Sequence, residues 1–197
     1  NVEFIVEKLL VFLESATDEH FKSDLVTRIT QCAETFAPSN NWYVRTMIRV
    51  FELAGDRVKS SVTETLMQLI AEGNGEEVEE DNEDDEDLRV GAVEDFLELI
   101  ENTKLPPLIA QTVAWVLGEY GYVSVSHDTQ SIMKKLVMLA EEVTIDSSTK
   151  ASIVTALLKL NAQQGGVDCP QEVLDLVESG TTSMSIDVQQ RYEEQSI

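Results

Sequence analysis

The sequence has 197 residues, of which 37 are acidic and 14 are basic, so its net charge at pH 7 is −23. Apolar residues make up 43%, which is well above the range of disordered chains and enough for one domain with a sizeable core. The negative charge argues against nucleic acid and an anionic membrane as direct partners of this segment, because both would repel it.

No run of 18 or more apolar residues occurs, which predicts that no segment crosses a membrane. The opening residues, NVEFIVEKLL, lack the pattern of a signal peptide, and their start at asparagine suggests a piece of a longer chain. The two cysteines, Cys32 and Cys169, have no metal-like spacing. Reduced thiols in a cytosolic protein are therefore expected.

Apolar residues with helical spacing predict ten helices, and no alternating run bounded by turns predicts a strand. In chain order the predicted helices cover residues 2–14, 18–36, 42–54, 59–72, 88–100, 105–121, 128–143, 146–163, 170–178 and 185–195. The first of them has a broad apolar stripe, formed by Ile5, Val6, Leu9, Leu10, Phe12 and Leu13.

An acidic run separates the fourth and fifth predicted helices. Residues 76–87, EEVEEDNEDDED, include ten acidic side chains, and charges of one sign at this density repel and extend a chain. Residues 74–87 are therefore predicted to form a disordered loop inside a domain that covers residues 1–197. The favoured role of this loop is to keep the chain soluble and to act as a spacer between helices. Binding of a basic partner comes next, and calcium chelation last, because the spacing is not that of an EF-hand loop.

The stretch 105–121, LPPLIAQTVAWVLGEYG, is the most apolar long segment and predicts a central, buried helix. Its interior glycine, Gly118, costs roughly 1 kcal/mol against alanine. We therefore expect Gly118 to allow close approach between the two helices of a pair. Gly121 is expected to take the left-handed conformation just beyond the helix end.

The predicted helices repeat in pairs. The odd-numbered helices begin near residues 2, 42, 88, 128 and 170, at intervals of 40, 46, 40 and 42 residues. A spacing of about 40–47 residues with two helices per unit is typical of HEAT and armadillo repeats. The sequence therefore predicts an all-α solenoid of five helical pairs, each stabilised by its neighbours, and this is favoured over a closed helical bundle.

No arrangement of residues predicts an active site, a cofactor or a metal. The two histidines, His20 and His127, have no cysteine beside them, and no phosphate-binding glycine motif occurs. Glu119 is expected to form a structural hydrogen bond or ion pair between helices rather than to act as an acid or base. The remaining candidate residues are predicted to pack: Trp42, Trp115, Gly118, Tyr120 and Gly121.

Several stretches carry a family resemblance. The segments AETFAPSNNWYVRTMIRVFELAGD and WVLGEYG resemble the trunk of the adaptins, which are the large subunits of heterotetrameric coat adaptors. The segments NVEFIVEKLLVFL, LMQLIAEG and DVQQRYEE are most similar to the epsilon subunit of the fourth adaptor complex, and next to gamma adaptin. The resemblance covers nearly the whole sequence, and WVLGEYG is its most specific element.

This resemblance implies a non-enzymatic scaffold in vesicle-mediated protein transport. The chain would be a later part of the trunk, in a complex with a second large, a medium and a small adaptin. An Arf-type GTPase would recruit that complex from the cytoplasm to trans-Golgi or endosomal membranes to sort cargo. The alternative is another HEAT-repeat scaffold, such as a nuclear-transport or phosphatase-scaffold protein. In either case we hypothesise that the even-numbered helices line a concave, partner-facing surface and the odd-numbered helices face solvent.

Overall fold

The computed structural model describes residues 1–73, 83–165 and 170–176, and in these residues helices but no strands occur. In chain order the helices are α1 (Val2–Ser15), α2 (Glu19–Phe36), α3 (Asn40–Ala54), α4 (Ser60–Glu72), α5 (Glu83–Asn102), α6 (Pro107–Tyr120), α7 (Thr129–Glu141) and α8 (Ser147–Gln163). Short 3-10 turns, Gly55–Arg57 and Gly121–Val123, follow α3 and α6. Residues 171–176 are also helical.

Five of these helices begin at a side chain that accepts a hydrogen bond from a backbone N–H of the first turn. The capping residues are Asn1, Asp18, Ser39, Asp128 and Asp146. Such caps satisfy backbone donors that would otherwise have no partner, and each contributes about 0.5–2 kcal/mol. Local sequence therefore determines where most of the helices start.

The helices form two rows. The odd-numbered helices contact one another in succession, α1 with α3, α3 with α5 and α5 with α7, while α4 contacts α6 and α6 contacts α8. Each odd-numbered helix also packs against the even-numbered helix that follows it. This stacking of consecutive pairs confirms the predicted all-α solenoid, in which each pair buries its apolar side against its neighbours.

The central position of α6 is also confirmed. Its core face includes Ile109, Val113, Val116 and Leu117, each with 0% of its surface exposed. The helix contacts α4, α5, α7 and α8. A helix that is surrounded in this way has to be apolar over most of its circumference, which explains the composition of the stretch from which it forms.

The fifth helix begins earlier than the sequence indicated. We predicted its start at Leu88 and assigned residues 74–87 to a disordered loop, but α5 extends back to Glu83. Residues 83–87 of the predicted loop are therefore helical. Acidic side chains in the first turn of a helix interact favourably with its dipole, which explains why this end of the run is compatible with a helix. Residues 74–82 lie outside the described residues.

The last two predicted helices are only partly covered by the structure. Residues 171–176 of the ninth helix are helical, and Val173 on it is 1% exposed. The tenth, at residues 185–195, lies outside the described residues. It remains a prediction.

The broad apolar stripe of α1 is only half buried. Val6, Leu10 and Leu13 pack into the core, but Ile5 and Phe12 of the same stripe are 52% and 54% exposed. Within the described residues this second face of α1 has no packing partner. The sequence pattern alone could not separate the two faces, because both are apolar.

Candidate functional site

The candidate site is centred on the C-terminal half of α6, where Gly118 meets α8. A Cβ atom placed on Gly118 would lie 2.8 Å from both Cα and Cβ of Ala156. The close approach expected at Gly118 therefore exists, but its partner differs from the prediction. It joins helices of two neighbouring pairs, α6 and α8, rather than the two helices of one pair, because the even-numbered helices stack directly on one another.

The end of α6 is tied to α8 by a side chain that sequence reasoning did not identify. Gln163 Nε2 donates hydrogen bonds to the backbone carbonyls of Gly118, at 3.3 Å, and Glu119, at 3.2 Å. These carbonyls belong to the last turn of the helix, where acceptors lack a partner within the helix. Gln163 therefore acts as a cap supplied by the neighbouring repeat.

Glu119 forms the interhelical ion pair that the sequence led us to expect. Its carboxylate accepts a hydrogen bond from the Nζ of Lys159 on α8. Both side chains remain partly exposed, so the pair contributes little to stability by itself. Its position next to Gly118 makes it a second link between α6 and α8.

The left-handed backbone conformation predicted for Gly121 is wrong. The residue is small because a neighbouring side chain lies close to its Cα. Its φ is −55° and its ψ is −24°, which is ordinary right-handed helical geometry. A Cβ atom there would lie 2.9 Å from Cδ2 of Leu160. A glycine after a helix can serve a left-handed conformation or a close contact, and here the close contact explains it.

Two aromatic residues of α6 interact with each other and with a cation. The rings of Trp115 and Tyr120 lie 5.9 Å apart with an interplanar angle of 77°, which is an edge-to-face contact. The guanidinium of Arg89 lies 5.3 Å from the centre of the Tyr120 ring. Trp42, at the start of α3, does not join this group and lies half-buried beside Glu3, Val6 and Leu10 in the N-terminal part of α1.

Arg89 also caps the end of α4. Its Nε donates to the carbonyl of Ile70, at 3.3 Å, and its Nη2 donates to the carbonyl of Ala71, at 3.0 Å. One side chain of α5 therefore connects the last turn of α4 with Tyr120 at the end of α6. The sequence held a signal for this role, since Arg89 is the only basic residue between Lys59 and Lys104.

A groove crosses the even-numbered face beside this cluster. It has a volume of about 420 Å³, with walls on α4 and α8 and a floor on α6. Met67, Trp115 and Ala156 are among its lining residues. The groove lies where α4 and α8 flank the exposed side of α6, and apolar side chains are left partly uncovered there.

Glu94 organises the segment after α6. Its carboxylate accepts hydrogen bonds from the hydroxyl of Ser124, at 2.7 Å, from the backbone N–H of Val125, at 2.9 Å, and from Ser126. Partial burial acts to raise the pKa of Glu94, but the hydrogen bonds from Ser126, Ser124 and Val125 together outweigh it and hold the pKa below its usual value. Sequence reasoning did not single out this residue.

Two acidic residues, Glu52 on α3 and Asp95 on α5, have raised pKa values. Burial raises the pKa of Asp95, although Arg45 opposes it, and burial together with the charge of Glu98 raises the pKa of Glu52. These groups lie along α3 and α5 among other charges. Over residues 1–73, 83–165 and 170–176, no group of three or more His, Cys, Asp or Glu side chains is placed to hold a metal ion.

Within the same residues, no helix combines the length and the hydropathy needed to cross a membrane.

Comparison with known proteins places these features in a family. A family model described as the adaptin N terminal region matches residues 1–196. The AP-4 complex subunit epsilon of Arabidopsis thaliana is 41% identical over 202 residues, which cover 100% of this chain and 21% of that protein. The AP-4 complex subunit epsilon-1 of Mus musculus is 37% identical over 165 residues, covering 83% of this chain and 14% of its own length.

A gamma subunit is less similar. The AP-1 complex subunit gamma-1 of Mycosarcoma maydis is 23% identical over 203 residues, which cover 97% of this chain and 22% of that protein. The predicted order of similarity, epsilon before gamma, is therefore confirmed among these relatives. The chain spans between 14% and 22% of the length of these three relatives. Of the two kinds of scaffold that the sequence left open, the comparison favours the adaptins.

Proposed function

The chain belongs to the family of the adaptin N terminal region, and on that premise we propose that it is part of the trunk of a large adaptin subunit. In this proposal it is a non-enzymatic scaffold of a heterotetrameric adaptor coat that sorts cargo in vesicle-mediated protein transport. The observation that carries the proposal is the family match over residues 1–196, together with the two-row stack of helical pairs.

The partners in this proposal are a second large, a medium and a small adaptin. The names of the similar proteins, subunits of AP-4 and AP-1 complexes, support assembly with other adaptor subunits. An Arf-type GTPase and cargo would engage the complex as a whole. We place the protein in the cytoplasm, peripheral to trans-Golgi and endosomal membranes, and this segment in a later part of the trunk.

The cluster of Trp115, Gly118, Glu119, Tyr120 and Gly121 has a mechanical role in this proposal. A solenoid transmits force and adapts its shape through the joints between its repeats. Two backbones in contact at Gly118, with the Glu119–Lys159 pair beside them, make the joint between α6 and α8 a rigid one. Trp42 has a packing role at the joint between α1 and α3.

The even-numbered face is the partner-facing surface in this proposal. The groove between α4 and α8 leaves apolar surface uncovered on that face. Between α3 and α5, on the odd-numbered row, the groups that line the surface are mostly charged: Arg45, Arg49, Glu52, Asp95 and Glu98. Charged surfaces of this kind are well solvated and more often face water, whereas uncovered apolar surface marks interaction sites.

Co-purification tests the proposal. The complete large subunit that contains this segment, carrying an affinity tag, is expressed with the medium, small and second large adaptins. We expect all four to elute together from a size-exclusion column at equal stoichiometry. Elution of the tagged subunit without the other three, while they remain soluble, would refute its assignment as an adaptor-complex subunit.

A further inference from the structure

We propose that the groove across α4, α6 and α8 binds an amphipathic helix of another adaptor subunit, with its apolar side inward and a basic residue beside Glu64. This proposal rests on the proposed function, and it specifies the chemistry of the partner segment that would bind in the groove.

The groove presents carbon rather than free polar groups. Three hydroxyls that line it are already bound to carbonyls of their own helices: Thr63 to Ser60 at 2.9 Å, Thr112 to Leu108 at 3.0 Å and Thr155 to Ala151 at 2.9 Å. The Gln111 amide donates to Thr149 at 3.0 Å. The apolar side chains that line the groove and remain partly exposed are Met67, Leu108 and Trp115.

These satisfied groups argue for a helical ligand. An extended peptide brings unpaired backbone N–H and C=O groups, and burying them without partners costs about 1–3 kcal/mol each. The walls of this groove are helices whose backbone groups are used internally, so they offer an extended peptide few hydrogen bonds. A helix satisfies its own backbone and needs only apolar surface on one side.

The length of the groove agrees with a short helix. Its floor runs along α6 from Leu108 to Gly118. At 1.5 Å per residue this distance is about 15 Å, or roughly three helical turns. Three turns place an apolar side chain at positions i, i+3, i+4 and i+7 of a bound helix, which suffices for a row of anchors against Trp115.

Charge selects a basic partner. The carboxylate of Glu64 lies on the exposed wall formed by α4, while Lys159 on the opposite wall is already paired with Glu119. The chain as a whole has a net charge of −23, so its field also favours basic segments. Residues 177–197 of the chain itself contain four acidic residues and one arginine, which makes them a poor match for Glu64.

Site-specific crosslinking in the assembled complex identifies the occupant. A photoreactive amino acid replaces Met67 in the complete large subunit, and the matched control carries it at Met138, which is 69% exposed on α7 outside the groove. We expect the Met67 position alone to crosslink to a helical segment of another adaptor subunit that contains a lysine or arginine. Crosslinks to residues of the same chain, to a second copy, to an extended segment, or to nothing in an intact complex would overturn the proposal.

Two substitutions measure the contribution of the groove to assembly. Thr155→Trp fills the groove and Glu64→Lys reverses its charge, and the matched controls on α7 are Met138→Trp and Glu141→Lys. We expect Thr155→Trp to weaken binding of the other subunits by at least about tenfold and Glu64→Lys by several-fold, with unchanged melting temperatures and unchanged controls. Native-like assembly of both groove variants would overturn the inference and leave the proposed function intact. A native subunit that fails to assemble would overturn both.

Discussion

Gly118 on α6 and Ala156 on α8 meet backbone to backbone, so that a methyl group on Gly118 would lie 2.8 Å from the Cα of Ala156. The neighbouring atoms belong to a helix backbone, which cannot move aside as the end of a flexible side chain can. The contact therefore fixes how closely two consecutive repeats stack. It also explains why a residue that is unfavourable inside a helix occupies this position.

Gly118→Leu should reduce the free energy of unfolding by about 1–3 kcal/mol, because the larger side chain forces α6 and α8 apart. Urea denaturation followed by circular dichroism measures the change. Gly91→Ala on α5 is the matched control, since among the described residues its added Cβ would meet just the Asn41 side chain, at 3.9 Å. Gly91→Ala should stabilise the chain by roughly 0.5–1 kcal/mol. Equal stability of Gly118→Leu and native protein would contradict the close packing.

Arg89→Lys should destabilise the chain by about 1–3 kcal/mol even though it preserves the charge. The planar guanidinium donates to Ile70 and Ala71 and lies on the Tyr120 ring at once, and an ammonium cannot reproduce that geometry. Thermal and urea denaturation measure the loss. In the control, Arg28→Lys affects an exposed ion pair with Asp24 within one helix, and its effect should be below about 0.5 kcal/mol. Similar effects of the two substitutions would show that Arg89 is an ordinary surface charge.

Glu94→Gln should destabilise the segment after α6 at neutral pH, and the difference from native protein should shrink in acid. The pKa of Glu94 is lowered in the folded state, so its carboxylate contributes stability above the unfolded value of about 4.3. That contribution is lost as the pH falls through the lowered folded value. Urea denaturation at a series of pH values from about 7 down to about 2 measures it, because the series has to pass below the lowered folded pKa. Glu141→Gln, an exposed residue of α7, is the control and should have little effect throughout. A Glu94→Gln effect that stays constant on acidification would refute the role of its charge.

The positions of the helices could be read from the sequence because caps and apolar spacing are local signals. Asp18, Ser39 and Asp146 each accept from the first turn of the helix they begin. The repeat of paired helices then predicted the solenoid, since no isolated pair buries its own apolar side. The need for close packing at Gly118 was also predictable, because an interior glycine requires a compensating contact.

The partners across the stack could not be predicted in the same way. Helical spacing shows that Gly118 faces a neighbour, but both α5 and α8 satisfy that condition, and only the structure distinguishes them. The link from Arg89 to Tyr120 joins two helices whose sequences contain no shared pattern. The early start of α5 was hidden because a dense acidic run predicts an extended chain, while its last residues are favoured at a helix N-terminus.

The acidic run should therefore divide into two parts with different effects on stability. Replacing residues 76–82 by a short Gly-Ser linker should leave the free energy of unfolding equal or slightly higher, since loop length costs little and repulsion among like charges is relieved. Neutralising the acidic residues of 83–87 by Gln or Asn should instead lower it by about 0.3–1 kcal/mol for each residue in the first turn of α5. Urea denaturation at low ionic strength measures both variants, and added salt should reduce the second effect by screening. A large loss of stability on replacing 76–82 would mean that this part of the run packs against the helices.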